Sequence, residues 1–188
     1  HATRCFDPQD FLNHGILPRS CVRAQLFDRL RQTLPRSISN TRWQKVIAAY
    51  RHHPFVRARD NEPESDGPFG FLAPPPVTHF LAGGETIVDL ATAYRSEFGN
   101  DTLFSCYLGA TRPCFVKFRR DEADGSALHH AIEYLWRMTR DDSVDDGLAV
   151  FVGNGTTIPA KAIVKVIIVE QRPKMVATRR RQRNQAVD

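Results

Sequence analysis

The sequence predicts an α+β protein, and three observations carry that prediction. First, several stretches repeat apolar residues at intervals of three and four, as one-sided helices do, and 85–98 is the clearest of them. Second, 102–108 and 114–119 alternate in character on either side of a Gly-Ala-Thr-Arg-Pro turn, which indicates a β-hairpin. Third, 148–152 and 163–169 are short β-branched runs bounded by turn residues, which is typical of buried strands.

The chain has 188 residues, which suits one domain, and we expect that domain to span 1–171. Residues 172–188 then form a basic tail that accounts for the whole net charge of +5. Its cationic residues are Arg172, Lys174, Arg179, Arg180, Arg181 and Arg183. We expect a solvated, disordered tail, with a phosphate-binding arm as the alternative.

Composition and cysteine spacing exclude some classes of protein. No apolar run approaches the roughly 20 residues that a membrane-spanning helix needs, so we expect no membrane association. The four cysteines show neither a Cys-x-x-Cys pair nor zinc spacing, and no group of histidines and acids predicts a metal site. The cysteines are interpreted as buried thiols of a reduced, cytoplasmic protein.

The first eighteen residues predict a short strand, a helix of two turns and a sharp exit. Asp7 can cap the helix, and Pro8 suits its first position because the missing N–H would be unpaired there. Gly15 supplies the left-handed residue that ends such a helix, and Pro18 prevents it from restarting.

Three further helices and one loop are predicted. We expect helices over 20–33, from about 40 to Pro54, and over 126–138, each with one apolar stripe. The polar stretch 57–67 is predicted to be a loop.

An aromatic segment follows that loop. Gly67 and Gly70 flank Pro-Phe, and three prolines stop the strand that begins at Phe69. Glycines allow a ligand to approach the backbone, and the rings of Phe69 and Phe71 offer a stacking surface. We therefore expect both phenylalanines to line one cleft together with His1.

Three motifs carry a family resemblance. His1-x-Thr3, followed by a short helix that ends in Gly-Ile-Leu-Pro, resembles the first motif of the ADP-ribosyltransferase superfamily, which includes DNA-targeting toxins and rifampicin-modifying enzymes. The segment 66–72 is similar to that family's acidic-Gly loop and its following Gly-Phe strand. The segment 158–163, Ile-Pro-Ala-Lys-Ala-Ile, resembles the link before its last strand. The resemblance implies a single-domain, antiparallel-rich split sheet with peripheral helices.

It also implies a function. A protein of this kind binds NAD as a substrate and moves ADP-ribose to a macromolecular acceptor, either nucleic acid or a protein side chain, while nicotinamide is released. His1 and Thr3 match the ribose-binding positions, Arg4 is expected to meet the pyrophosphate, and Gly70 and Phe71 are expected to contact the dinucleotide. An antitoxin or immunity partner is compatible with the resemblance, but no residue identifies one.

The catalytic acid is where this sequence departs from the family. The family places a Glu on the strand before the Ile-Pro link, and that strand contains none here. Asp146 at the edge of that strand and Glu170 at the end of the last strand are the candidates for the carboxylate that stabilises a cationic ribose. The chain could also be catalytically dead.

Two further function classes remain open. The RNA 2′-phosphotransferases share the superfamily's fold and use His and Arg, and clustering of Arg4, Arg19, Arg112 and Arg119 around one cleft would favour such a phosphate-rich substrate. A non-catalytic interaction module would need none of these residues.

Overall fold

The structure is a computed structural model, and it describes residues 1–62, 66–71, 84–119, 125–140 and 149–170. The described strands are β1 (Ala2–Cys5), β2 (Phe69–Phe71), β3 (Arg112–Phe118), β4 (Ala149–Val152) and β5 (Ile163–Ile168). The described helices are α1 (Gln9–His14), α2 (Arg19–Thr33), α3 (Asn40–His52), α4 (Pro54–Asp60), α5 (Glu85–Phe98), α6 (Thr102–Ala110) and α7 (Gly125–Thr139), with a short 3₁₀ helix at Ala160–Ala162. The predicted α+β class is confirmed.

Two antiparallel sheets hold the strands. β3 lies between β1 and β5, with Thr3 opposite Cys114 and Cys114 opposite Ile168. A second sheet pairs β2 with β4, and Phe69 lies opposite Val152 there. The predicted strands in 148–152 and 163–169 therefore form, but in different sheets.

The helices form because their apolar residues recur on one face. In α3 the buried residues are Trp43, Val46, Ile47 and Tyr50. The Ser39 hydroxyl caps this helix by accepting a hydrogen bond from the Arg42 N–H at 3.3 Å. The predictions for α2, α3 and α5 are confirmed.

Packing of these helices makes the larger of two hydrophobic cores. Leu30, Val46, Leu90 and Leu103 are fully buried in it, one from each of α2, α3, α5 and α6. The smaller core lies on the three-stranded sheet, where Val116 packs with a set of residues that includes Cys5, Ile16, Cys114 and Ile158. The sheet that carries His1 is thus anchored by its own core.

The hairpin predicted from 102–108 is wrong, because α6 occupies that stretch. Leu103 and Tyr107 lie four residues apart and are both buried, which is helical spacing. The Asn100 side chain accepts the Thr102 N–H at 3.0 Å and starts the helix. Burial of this stripe against the other helices outweighs the alternating pattern.

The predicted loop over 57–67 is also partly wrong. Pro54 opens α4 at the first helical position, as proline prefers, and Val56 is buried. Burial of Val56 and the ion pairs of Arg59 and Asp60 with neighbouring helices hold α4 as far as Asp60. Residues 63–65 lie outside the described part of the chain.

The cysteines are free, and two of the four match the prediction of buried thiols. Cys5 and Cys114 are buried, Cys106 is half-buried and Cys21 is exposed. Donation of its S–H to Cys5 and burial both raise the pKa of the Cys114 thiol, so this side chain is neutral and structural.

Some predictions fall on residues that the structure does not describe. The basic tail 172–188, Asp146 and the prolines after Phe71 are among them. Of the helices in the described ranges, none combines the length and apolar character needed to cross a bilayer.

Candidate functional site

Strand β1 positions His1 at the junction of the two sheets. The Val116 N–H donates to the His1 carbonyl at 2.8 Å, which fixes the residue on β3. The His1 ring reaches the other sheet, where Nδ1 lies 2.8 Å from the Phe69 carbonyl oxygen. Since a carbonyl can only accept, Nδ1 carries the proton, and in the neutral ring Nε2 is an acceptor.

A glycine turn holds the aromatic segment in place. The Gly153 N–H donates to the Pro68 carbonyl at 2.8 Å, and the Gly155 N–H donates to the Gly67 carbonyl at 3.0 Å. A Cβ on Gly153 would lie 2.6 Å from Pro68 Cδ, so only glycine permits this approach. The turn therefore braces the segment that presents Phe69.

These elements enclose a cavity of about 840 Å³, called the main cavity below. His1 and Thr3 line it from β1, and Phe69 and Phe71 line it from β2. The prediction that both phenylalanines share a cleft with His1 is confirmed. The volume of the main cavity falls within the range of roughly 300–1,000 Å³ that is usual for small-molecule and cofactor sites.

Arginines on α2 form part of the cavity wall together with carboxylates. The Arg23 guanidinium makes a two-pronged contact with Asp60, with nitrogen–oxygen distances of 2.7 and 2.6 Å. Arg19 donates to Asp60 at 3.2 Å and to the Arg59 carbonyl at 3.0 Å. The sequence reasoning missed Arg23 and Asp60, although Arg19 and Arg23 are four residues apart at the start of a predicted helix.

Asp66 anchors the aromatic segment to the N-terminus of α2. Its carboxylate accepts the Ser20 N–H at 2.8 Å and the Ser20 hydroxyl at 2.5 Å. A carboxylate at a helix N-terminus is favoured by the unpaired N–H groups and by the helix dipole. Asp66 lines the main cavity from this fixed position.

The third arginine of the wall, Arg59, joins α4 to α5. Its guanidinium pairs with Glu85 and with Asp89, and its side chain is largely covered. Glu85 also lines the main cavity. Asp66 and Glu85 are thus carboxylates at the cavity that the sequence reasoning had not selected.

Acidification is expected to weaken the contact between Arg23 and Asp60. The Arg23 hydrogen bond holds the pKa of Asp60 below its usual value. A carboxylate with a lowered folded pKa stabilises the fold above the unfolded pKa of about 4 and loses this contribution as pH falls through its folded pKa. Because Asp60 is partly exposed, solvent screening limits the effect to about 1 kcal/mol. Urea unfolding of the wild type and Asp60→Asn at pH 7 and pH 3 measures it: the variant should lose less stability on acidification, and equal losses would contradict the assignment.

A smaller pocket of about 270 Å³ adjoins the main cavity. Both spaces are lined by His1, Thr3 and Leu26, so Thr3 lies where they meet. Tyr107 lines the smaller pocket, and burial raises its pKa to about 12, which keeps its hydroxyl neutral.

Arg4 has a structural role in its contacts, and its assignment to the pyrophosphate stays a prediction. Its side chain is buried, and it donates to the Thr111 hydroxyl at 2.9 Å, the Thr111 carbonyl at 2.7 Å and the Leu108 carbonyl at 3.0 Å. These acceptors lie at the C-terminal end of α6, where a cation is favoured. Arg4 does not line the main cavity, but it lines the smaller pocket that adjoins it.

Glu170 does not reach the main cavity either. It follows β5, the strand separated from β1 by β3, and it is exposed at the Cys5 end of the sheet. Strand spacing and rise place it on the order of 15 Å from His1. Gly70 is buried within β2 and does not line the cavity, unlike Phe71. Asp146 lies outside the described residues.

The cluster of arginines that would favour a phosphotransferase does not form around the main cavity. Of that set, Arg19 lines the main cavity, whereas Arg112 and Arg119 do not. Within the described ranges, no group of three or more His, Cys, Asp or Glu side chains is placed to hold a metal ion.

Comparison of the chain with models of protein families, with curated proteins and with solved structures finds no match.

Proposed function

We propose that the protein binds NAD in the main cavity and transfers ADP-ribose from it to a macromolecular acceptor. The observation that carries this proposal is the junction of the two sheets, where the His1 imidazole, hydrogen-bonded to the Phe69 carbonyl, lies beside Thr3 and two phenylalanines. This arrangement gives a ribose polar partners and a base or nicotinamide ring an aromatic surface.

The reaction breaks the glycosidic bond between C1′ of the ribose and the nicotinamide nitrogen. Nicotinamide leaves with the bonding electrons, an oxygen or nitrogen of the acceptor forms the new bond to C1′, and the acceptor's proton is released. The ribose develops positive charge in the transition state, so a nearby carboxylate lowers the barrier. Asp66 and Glu85 line the cavity, and Asp146 keeps its place as a candidate from the sequence.

The paired arginines suit an anionic substrate such as a dinucleotide. Arg19 and Arg23 line the main cavity, and their shared carboxylate partner Asp60 holds the guanidinium groups in fixed positions. Guanidinium groups bind phosphate oxygens in two-pronged geometry. The same arginines favour phosphoryl transfer on RNA as the second candidate function.

Nicotinamide release from labelled NAD tests the reaction. Wild-type chain should release nicotinamide and transfer label to an acceptor fraction, and Asp146→Ala should bind NAD normally while turnover falls by about 10²–10³-fold, the usual loss for a charge-stabilising group. Glu170→Ala is the matched control, because its exposed carboxylate lies far from the cavity. Release of 2′-phosphate from RNA without cleavage of NAD would select the phosphotransferase instead, and no activity on either would favour the interaction module.

A further inference from the structure

A groove between α4 and α5 opens directly beside the main cavity. It has a volume of about 450 Å³ and is lined by Phe55, Ala58, Arg59, Glu85, Val88 and Asp89. Arg59 and Glu85 also line the main cavity. A molecule bound in the groove would therefore lie beside any substrate held in the cavity.

Apolar side chains dominate the surface of this groove. Phe55 is 72% exposed, more than any other large apolar side chain in the described ranges, and Val88 is 47% exposed. Both residues lie on helices that bury other side chains, Val56 on α4 and Ile87 and Leu90 on α5. Burial of an exposed phenylalanine and an exposed valine by a partner makes the free energy of binding more favourable. Exposed aromatic residues are common binding hot spots.

The charge at the groove is negative. Arg59 is covered by its pairing with Glu85 and Asp89, and only 18% of its side chain is exposed. Glu85 in contrast has 76% of its side chain exposed. Arg57 on the same helix is exposed but does not line the groove. A phosphate backbone would meet an exposed carboxylate here, whereas a lysine or arginine of a partner would be attracted to it.

We propose that this groove binds a polypeptide acceptor, by an apolar side chain seated between Phe55 and Val88 and a neighbouring basic side chain beside Glu85. This inference rests on the proposed function, because it assigns the acceptor of the reaction in the main cavity. It selects a protein segment over nucleic acid as that acceptor.

Binding of defined probes tests the groove without NAD. The probes are fluorescent 12-residue peptides of alternating leucine and lysine, the same peptide with glutamate for lysine, and 12-nucleotide single-stranded DNA and RNA. In fluorescence anisotropy, the Leu/Lys peptide should bind at least tenfold more tightly than the Leu/Glu peptide and either oligonucleotide. Phe55→Ser and Val88→Ser should each weaken it at least tenfold, because they remove the apolar anchors.

Leu128→Ser is the matched control, since Leu128 is 61% exposed on α7 and does not line the groove. Its affinity for the peptide should stay within twofold of wild type. Tighter binding of an oligonucleotide, no binding of any probe, or peptide binding that survives both groove substitutions would overturn the proposal.

Nicotinamide release into water separates this inference from the proposed function. Phe55→Ser and Val88→Ser should release nicotinamide at the wild-type rate, because neither residue lines the main cavity. Peptide binding that needs Phe55 in a chain that does not cleave NAD would overturn the proposed function and the acceptor role together. NAD cleavage without peptide binding would overturn the groove proposal alone.

Discussion

Replacement of Gly15 by alanine is expected to cost at least about 3 kcal/mol of unfolding free energy, a large part of the 5–15 kcal/mol of a typical domain. Gly15 has φ of 78°, and an added Cβ would lie 2.0 Å from the Ile158 carbonyl oxygen. That carbonyl accepts the Ile16 N–H at 2.9 Å, and the Ile16 carbonyl accepts the Ile158 N–H at 2.9 Å. The substitution therefore breaks the bridge between the first helix and the segment before β5.

Gly99→Ala is the control for this experiment. Gly99 has a similar φ of 71°, but an added Cβ would meet nothing within 4 Å. Its substitution should cost about 1 kcal/mol, the price of the left-handed backbone without a clash. Urea denaturation of both variants gives the comparison, and equal losses would show that the close approach at Gly15 is absent.

Replacement of Arg4 by methionine is expected to lower the unfolding free energy by about 3 kcal/mol, because charged hydrogen bonds are lost and buried acceptors remain. The acceptors left unpaired are the carbonyls of Leu108 and Thr111 at the end of α6. The methionine chain preserves most of the apolar contact with the Tyr107 ring, over which the guanidinium lies. NAD affinity of the folded variant should be unchanged.

Arg112→Met is the matched control for Arg4, since Arg112 is exposed on β3 directly opposite Cys5. Its stability should change by no more than about 0.5 kcal/mol. Thermal unfolding and NAD titration of both variants separate the two roles. If the Arg4→Met protein is stable but no longer binds NAD, Arg4 is a ligand of the pyrophosphate.

Features set by local chemistry could be predicted from the sequence. The end of α1 at Gly15 and the stripe of α5 depend on residues close in sequence, and both are as expected. The sequence of α6 fits both the alternation of a strand and the spacing of a helix. Only burial of Leu103 and Tyr107 among distant helices selects the helix.

Only some residues of the candidate site could be predicted from the sequence. His1, Thr3 and Phe71 were predictable because short motifs carry them. The charged wall with Arg23 was not, because its pairs join residues 26 or more positions apart, and charge alone does not say which partners meet. Arg4 looked available for the same reason, since its buried acceptors lie more than 100 residues away.

Calorimetric titration of the chain with NAD tests the central claim most directly. The wild type should bind one NAD per chain, and His1→Ala should bind about tenfold more weakly because it removes the imidazole that joins the two sheets. His52→Ala, at an exposed histidine that does not line the cavity, should bind NAD as the wild type does. Absence of binding at millimolar NAD, or equal affinity in His1→Ala and wild type, would contradict NAD binding in the main cavity.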